Sequence, residues 1–108
     1  MMDLKEKHCE PCEKGTESLN AEQIGLYKEK VSKDWKVVDN KKIKKNFPFE
    51  NFKRGMAFAQ DIALLAEEEG HHPDLCIHYS SVDVELSTHS IGGLSANDFI
   101  LAAKIDDI

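Results

Sequence analysis

The residues of this 108-residue chain best suited to chemistry are three histidines: the adjacent pair His71-His72, followed by Pro73, and His89 further along. An unperturbed imidazole titrates near about pH 6.5, so it can give or take a proton at physiological pH. Proline biases the residue before it toward extended conformations, which pushes His72 out of the helical region. Neighbouring side chains of an extended segment point to opposite sides, so His71 and His72 cannot meet one substrate in the same manner. Three imidazoles at one place suit general acid–base catalysis or metal ligation. Residue types alone leave both open, together with the reading in which the histidines do no chemistry. A stronger metal pattern, H-x-x-x-H on a helix, is absent.

The elements that must position them follow from capping and periodicity. Asn20-Ala21-Glu22-Gln23 has the form of a capping box. It opens a helix over residues 21–33, with Ile24, Tyr27 and Val31 on one stripe. Residues 35–38 and 43–47 read as strands joined by a turn at Asp39-Asn40. Pro48 is expected to stop the second strand. Phe52, Met56, Ala59, Ala63 and Ala66 then form a helical stripe within residues 49–69, read as core, with Gly70 where a glycine ends a helix. Residues 75–79 and 82–88 predict a second hairpin turning near Ser80-Ser81, with Val82, Val84, Leu86 and Thr88 on one face. A loop over 87–93 leads to a second capping box, Ser95-Ala96-Asn97-Asp98, and a last helix over 99–105. The order α-β-β-α-β-β-α, with short turns, predicts an α+β domain over residues 19–108. It is a four-stranded antiparallel sheet with helices packed on one face. Residues 1–18 lack periodicity and read as a flexible N-terminal arm, dispensable for fold and activity.

The second hairpin brings the histidines together. His72 lies about eight residues before its turn and His89 about eight after, and in an antiparallel pair these positions share one sheet end. His78 sits beside the turn, at the far end, and reads as structural or exposed, as does His8. His71 follows a helix C-terminus and Glu67-Glu68-Glu69, surroundings that favour an imidazolium and make it a plausible acid. Glu67 is placed to orient an imidazole, and Asp98 reads as a helix cap at the rim of the site.

The formal net charge of −6 argues against nucleic acid, which would call for a basic stripe. The cluster Lys41, Lys42, Lys44 and Lys45 reads as a solvated hairpin. No apolar run approaches the roughly 18 residues of a membrane span, and Met1–Glu6 is charged where a signal peptide would be apolar. The expectation is a cytoplasmic protein, which the odd count of three cysteines also fits. Cys9-Glu10-Pro11-Cys12 has C-x-x-C spacing, but no strand precedes it as in a redox motif. A zinc site there would have to recruit further ligands such as His8 and Cys76.

Glu67-x-x-x-His71-His72-Pro73, then Tyr79, His89 and Asp98, with Leu86-Ser87-Thr88-His89 and Gly93-Leu94-Ser95, resembles the signature of the pterin-4a-carbinolamine dehydratases. The resemblance extends upstream through Phe47-Pro48-Phe49 and Trp35 to Leu19-Asn20-Ala21-Glu22, and so covers residues 19–106. It implies an enzyme that removes water from 4a-hydroxytetrahydrobiopterin to give quinonoid dihydropterin, recycling the cofactor of aromatic amino-acid hydroxylases, one of which would be a functional partner. It implies His71, His72 and His89 as the catalytic set, with Glu67, Pro73, Ser87, Thr88 and Asp98 around the substrate. No metal and no organic cofactor are implied, and assembly as a homodimer or homotetramer is. Two departures bear on pocket shape: Gly70 stands where some members carry aspartate, and Leu75-Cys76 where several carry aromatics.

Overall fold

A computed structural model describes residues 3–10 and 16–108. Its sheet is formed by β1 (Lys36–Val38), β2 (Lys42–Pro48), β3 (Asp74–His78) and β4 (Ser81–Leu86), in the spatial order β1-β2-β4-β3. All neighbours are antiparallel, as two hairpins joined edge to edge require. Asp39 and Asn40 both take positive φ, 54° and 55°, the left-handed pair at the centre of the turn that the Lys41 N–H closes on the Val38 carbonyl at 3.0 Å. Three helices, α1 (Ala21–Lys28), α2 (Phe52–Glu69) and α3 (Ala96–Asp106), complete the α+β domain. The capping boxes at Asn20/Gln23 and Ser95/Asp98 are both formed. Gly70, with φ of 67°, closes α2 in the left-handed conformation that favours glycine.

Alternation sets which face is covered. Ile43, Val82, Val84 and Leu86 point inward and pack with Phe58 and Ile62 of α2 and Phe99 and Leu101 of α3. Trp35, buried just before β1, donates its indole N–H to Asp106 at 2.9 Å. The opposite face carries Lys44, Asn46, Cys76, His78, Asp83 and Glu85, all polar except the thiol. There Asn46 and His78 both hydrogen-bond the Asp83 carboxylate and hold it below the ordinary range of an aspartate.

Several boundaries differ from the sequence reading. Pro48 ends β2 instead of stopping it earlier: it pairs with Ser81, and the Phe49 N–H continues to the Ser80 carbonyl at 2.8 Å. A last-residue proline lacks only a donor, which a strand end can spare. α2 therefore starts at Phe52, where Asn51 caps it by accepting the Arg54 N–H. α1 ends at Lys28 because tighter turns take over, Lys30 to Tyr27 and Val31 to Lys28. They reverse the chain and deliver Trp35 to the core. The second turn falls at Tyr79-Ser80, one residue earlier than expected, since His78 pairs with Ser81. β4 stops at Leu86, so His89 lies beyond the strand. No helix among the described residues is long and apolar enough to cross a membrane.

Residues 3–10 lie along α3 and the end of α2. Leu4 is 5% exposed within the core, and Lys104 donates to the Lys5 carbonyl. The buried Glu69 carboxylate accepts the Cys9 N–H at 2.8 Å and a bond from His8 at 2.9 Å. Burial alone would push this carboxyl up. The Cys9 N–H, His8 and Lys104 outweigh it and hold the group below its ordinary value of 4.5. Glu69 therefore adds stability that is complete above about pH 4.5 and is lost as pH falls through the lower folded value. Glu69→Gln is expected to flatten the dependence of unfolding free energy on pH in that acid window, as read by urea titrations at stepped pH. Leu4→Ala is expected to cost about 2 kcal/mol, the low end for truncating a buried leucine, because the segment lies at the core's margin.

Candidate active site

The pair His71-His72 follows the helix stop at Gly70. The His71 N–H reaches back to the Ala66 carbonyl at 3.2 Å, which completes the end of α2 and fixes the start of the next segment. From there the two imidazoles diverge. His71 turns inward, its side chain 12% exposed, and its Nε2 lies 2.6 Å from Asp98 Oδ1. A carboxylate only accepts, so this nitrogen carries the proton and the other ring nitrogen is left as the free position. Asp98 is fully buried at 0% exposure, and its second oxygen accepts the Thr88 hydroxyl at 2.9 Å and the Ser95 N–H at 3.0 Å. Thr88 is also bonded to the Ser95 hydroxyl at 2.7 Å. One carboxylate thus ties together the end of α2, the end of the β4 segment and the start of α3.

His72 turns outward, 60% exposed, with its Nε2 2.9 Å from Glu67 Oε1. His89 opens a short 3₁₀ turn, His89–Ile91, that Gly92 closes with a φ of 67°. The Thr88 N–H bonds the Gly93 carbonyl at 2.8 Å across the base of this turn. The His89 side chain is 74% exposed, with Nε2 3.9 Å from Asp74 Oδ2. That exceeds hydrogen-bond length and leaves the ring nitrogen available to a ligand. Beside it lies a cleft of about 350 Å³, lined by Ser87, Thr88 and His89 on one side and by Val38, Asp39, Lys41 and Lys42 of the first hairpin on the other. Lys42 is fixed by Glu85 at 2.8 Å, a hydrogen bond and charge pair that raise its pKa. A larger cleft of about 500 Å³, between residues 3–5, 30–32 and the end of α3, contains no histidine.

A family model described as pterin 4 alpha carbinolamine dehydratase matches residues 17–108. The chain belongs to the pterin-4a-carbinolamine dehydratase family. It is 42% identical over 106 residues to a relative named for that dehydratase in Alkaliphilus metalliredigens, covering 98% of this chain and 96% of the relative. It is 47% identical over 107 residues to one so named in Legionella pneumophila, covering 98% and 95%. The fold matches the crystal structure of a transcriptional coactivator/pterin dehydratase from Brucella melitensis, with a TM-score of 0.77 and 31% identity over 83% of this chain and 96% of that one.

The dehydratase family is one of hydro-lyases. In this member, His71 and Asp98 meet directly, Thr88 joins them, and Glu67 meets His72. Asp74, the carboxylate nearest His89 Nε2, was not singled out in the sequence. Its one signal is its place two residues after His72, facing the β4 end in an antiparallel register. Lys41 and Lys42, read as a solvated run, line the cleft, and Ser95 joins the Asp98 network. Asp98 caps α3 as expected, but at 0% exposure it is inside the protein and not at a rim. Its cap partner is local, whereas His71 arrives from another element. At the N-terminus, burial and the charges of Glu69 and Asp98 push the Cys9 thiol up to about 12, and its S–H lies 3.6 Å from the Asn97 carbonyl. Cys9 is thereby held as a thiol at neutral pH; Cys12 lies outside the described residues.

Proposed function

We propose that the chain dehydrates 4a-hydroxytetrahydrobiopterin to quinonoid dihydropterin by histidine acid–base catalysis, in recycling of the tetrahydropterin used by an aromatic amino-acid hydroxylase. The observation that carries this reading is the pair of exposed imidazoles, His72 and His89, at one end of the sheet in a chain of this family. Elimination breaks the C4a–O bond. An acid protonates the leaving hydroxyl, a base removes the N5 proton, and the N5–H electron pair becomes the new C4a=N5 double bond. Water and the conjugated dihydropterin are the products, and the two protein groups exchange one proton overall. His89 suits the acid, because neither a helix cap nor a hydrogen-bonded carboxylate occupies its Nε2. Glu67 holds His72 through Nε2, which leaves Nδ1 as an acceptor for the ring proton. His71, committed to Asp98, is the fixed corner from which His72 projects. Pro73 keeps that projection extended, and Ser87 and Thr88 line the cleft beside His89, whose lining includes neither His71 nor His72.

Nothing in this elimination demands a Lewis acid, because conjugation in the product stabilises the developing charge. Protein stripped by a strong chelator is therefore expected to dehydrate freshly made carbinolamine as fast as untreated protein. Loss of activity on chelation with recovery on adding zinc would overturn the metal-free mechanism.

Self-association is the second element of the reading. β1 and β3 are open sheet edges, and α2 exposes Phe52 and Leu64. Proteins tend to pair or cover such edges. Sedimentation at micromolar concentration is expected to show a dimer or tetramer; a sole 12.2 kDa species would contradict it.

A further inference from the structure

We infer that Cys76, His78 and Asp83, on the uncovered face of the β3–β4 hairpin, form a binding site for a divalent zinc-like cation, separate from the dehydratase site. One ligand atom from each residue lies within 4.8 Å of the other two. Among the described residues this is the group of three such side chains that converges.

The placement follows from strand register. Cys76 and His78 are two residues apart on β3 and so share a face. Cys76 stands directly opposite Asp83 on β4, and His78 is diagonal to it. The diagonal pair already touches: His78 Nε2 lies 3.0 Å from Asp83 Oδ2. The other Asp83 oxygen accepts Asn46 Nδ2 at 2.8 Å, which fixes the carboxylate with Oδ2 toward His78. Outer partners of this kind orient metal ligands and commonly contribute to affinity.

The donor set selects the metal. Zinc bonds thiolate at about 2.3 Å and imidazole or carboxylate at about 2.0–2.2 Å, so tetrahedral ligands stand roughly 3.3–3.6 Å apart. A span of 4.8 Å reaches that by side-chain rotation, without moving the strands. One sulfur, one nitrogen and one oxygen suit zinc better than magnesium or calcium, which take all-oxygen shells. Three protein ligands leave the fourth position to water. Binding releases the Cys76 thiol proton to solvent, and neutral His78 moves its ring proton from Nε2 to Nδ1 to free the lone pair. Three dative bonds form, and no electron is transferred. Lys44, on the same face, carries a positive charge that opposes the cation and weakens the site.

The site lies beside the hairpin turn, where His78 pairs with Ser81, while the catalytic histidines lie past the opposite end of both strands. Six residues of strand separate His78 from His72, roughly 20 Å at 3.3 Å per residue. Metal loading should leave dehydration unchanged.

Cobalt(II) is the probe. The full-length reduced protein, titrated with cobalt, is expected to show a thiolate-to-cobalt charge-transfer band and the intense visible bands of tetrahedral coordination. Zinc should displace both, with release of about one proton per ion. Cys76→Ser and His78→Ala should each weaken binding by more than the roughly 10–100-fold typical of losing an outer partner, and Asn46→Ala should fall within that range. Cys9→Ser/Cys12→Ser should retain the bands. Cys76, His78 and Asn46 face outward on the sheet, so circular dichroism should show unchanged folds for those variants. Octahedral cobalt without a sulfur band would overturn the inference. So would a band that survives Cys76→Ser and vanishes in Cys9→Ser/Cys12→Ser.

Discussion

Replacing His72 or His89 by alanine is expected to lower kcat/KM for carbinolamine dehydration by about 10²–10⁴-fold each, the usual contribution of a positioned acid or base. Both side chains are more than half exposed, at 60% and 74%, so neither loss opens a core cavity. Thermal unfolding should shift little, and a folded but slow enzyme is the expected result. His78→Ala is the control. It has the same residue type and a comparable carboxylate partner in Asp83, but sits at the turn end of the hairpin. A group roughly 20 Å away cannot exchange a proton directly with the same substrate. A His78 variant as inactive as the His89 variant, with both folded by circular dichroism, would mean that the site lies elsewhere.

Asp98→Ala is expected to damage both stability and rate. The carboxylate is fully buried and meets His71, the Thr88 hydroxyl and the Ser95 N–H. Removing it strands a buried imidazole N–H and a helix cap, and breaking a buried pair of this kind typically costs about 3–5 kcal/mol. Asp98→Asn separates the two effects. An amide has the same shape and can still accept the Ser95 N–H, so most of the stability should return. Its NH2 then faces His71 Nε2, which can accept it only if the ring proton moves to Nδ1, so a deficit in kcat should remain, with a changed pH–rate profile and little change in KM. In the proposed mechanism Asp98 is a positioning residue, acting through His71. If Asp98→Asn matched wild type in both kcat and pH profile, Asp98 would be a helix cap and nothing more.

The features readable in the sequence were those set by near neighbours in the chain. Asn20 and Gln23 announce a capping box because both partners lie within one helical turn. Asp39-Asn40 announces the turn because few residues tolerate positive φ. Alternation across 82–86 announces which face of β4 is buried, and the symmetric spacing of His72 and His89 about a hairpin locates both at one sheet end. What escaped depends on partners brought by the fold. Asp98 looks like a cap because Ser95 is three residues away; that it also locks His71 requires α3 to pack against the end of α2. Residues 3–10 lack periodicity, yet they find Glu69 and Asn97 from distant elements. Pro48 misled because a proline forbids a donor, not a strand end whose carbonyl is still usable.

The rate of quinonoid dihydropterin formation from freshly generated 4a-hydroxytetrahydrobiopterin, followed by stopped-flow absorbance with and without the protein, tests the central claim most directly. The account predicts an acceleration over the spontaneous reaction that saturates with substrate and is lost in the His72→Ala/His89→Ala double variant. Folded protein that leaves the spontaneous rate unchanged at saturating substrate would contradict it.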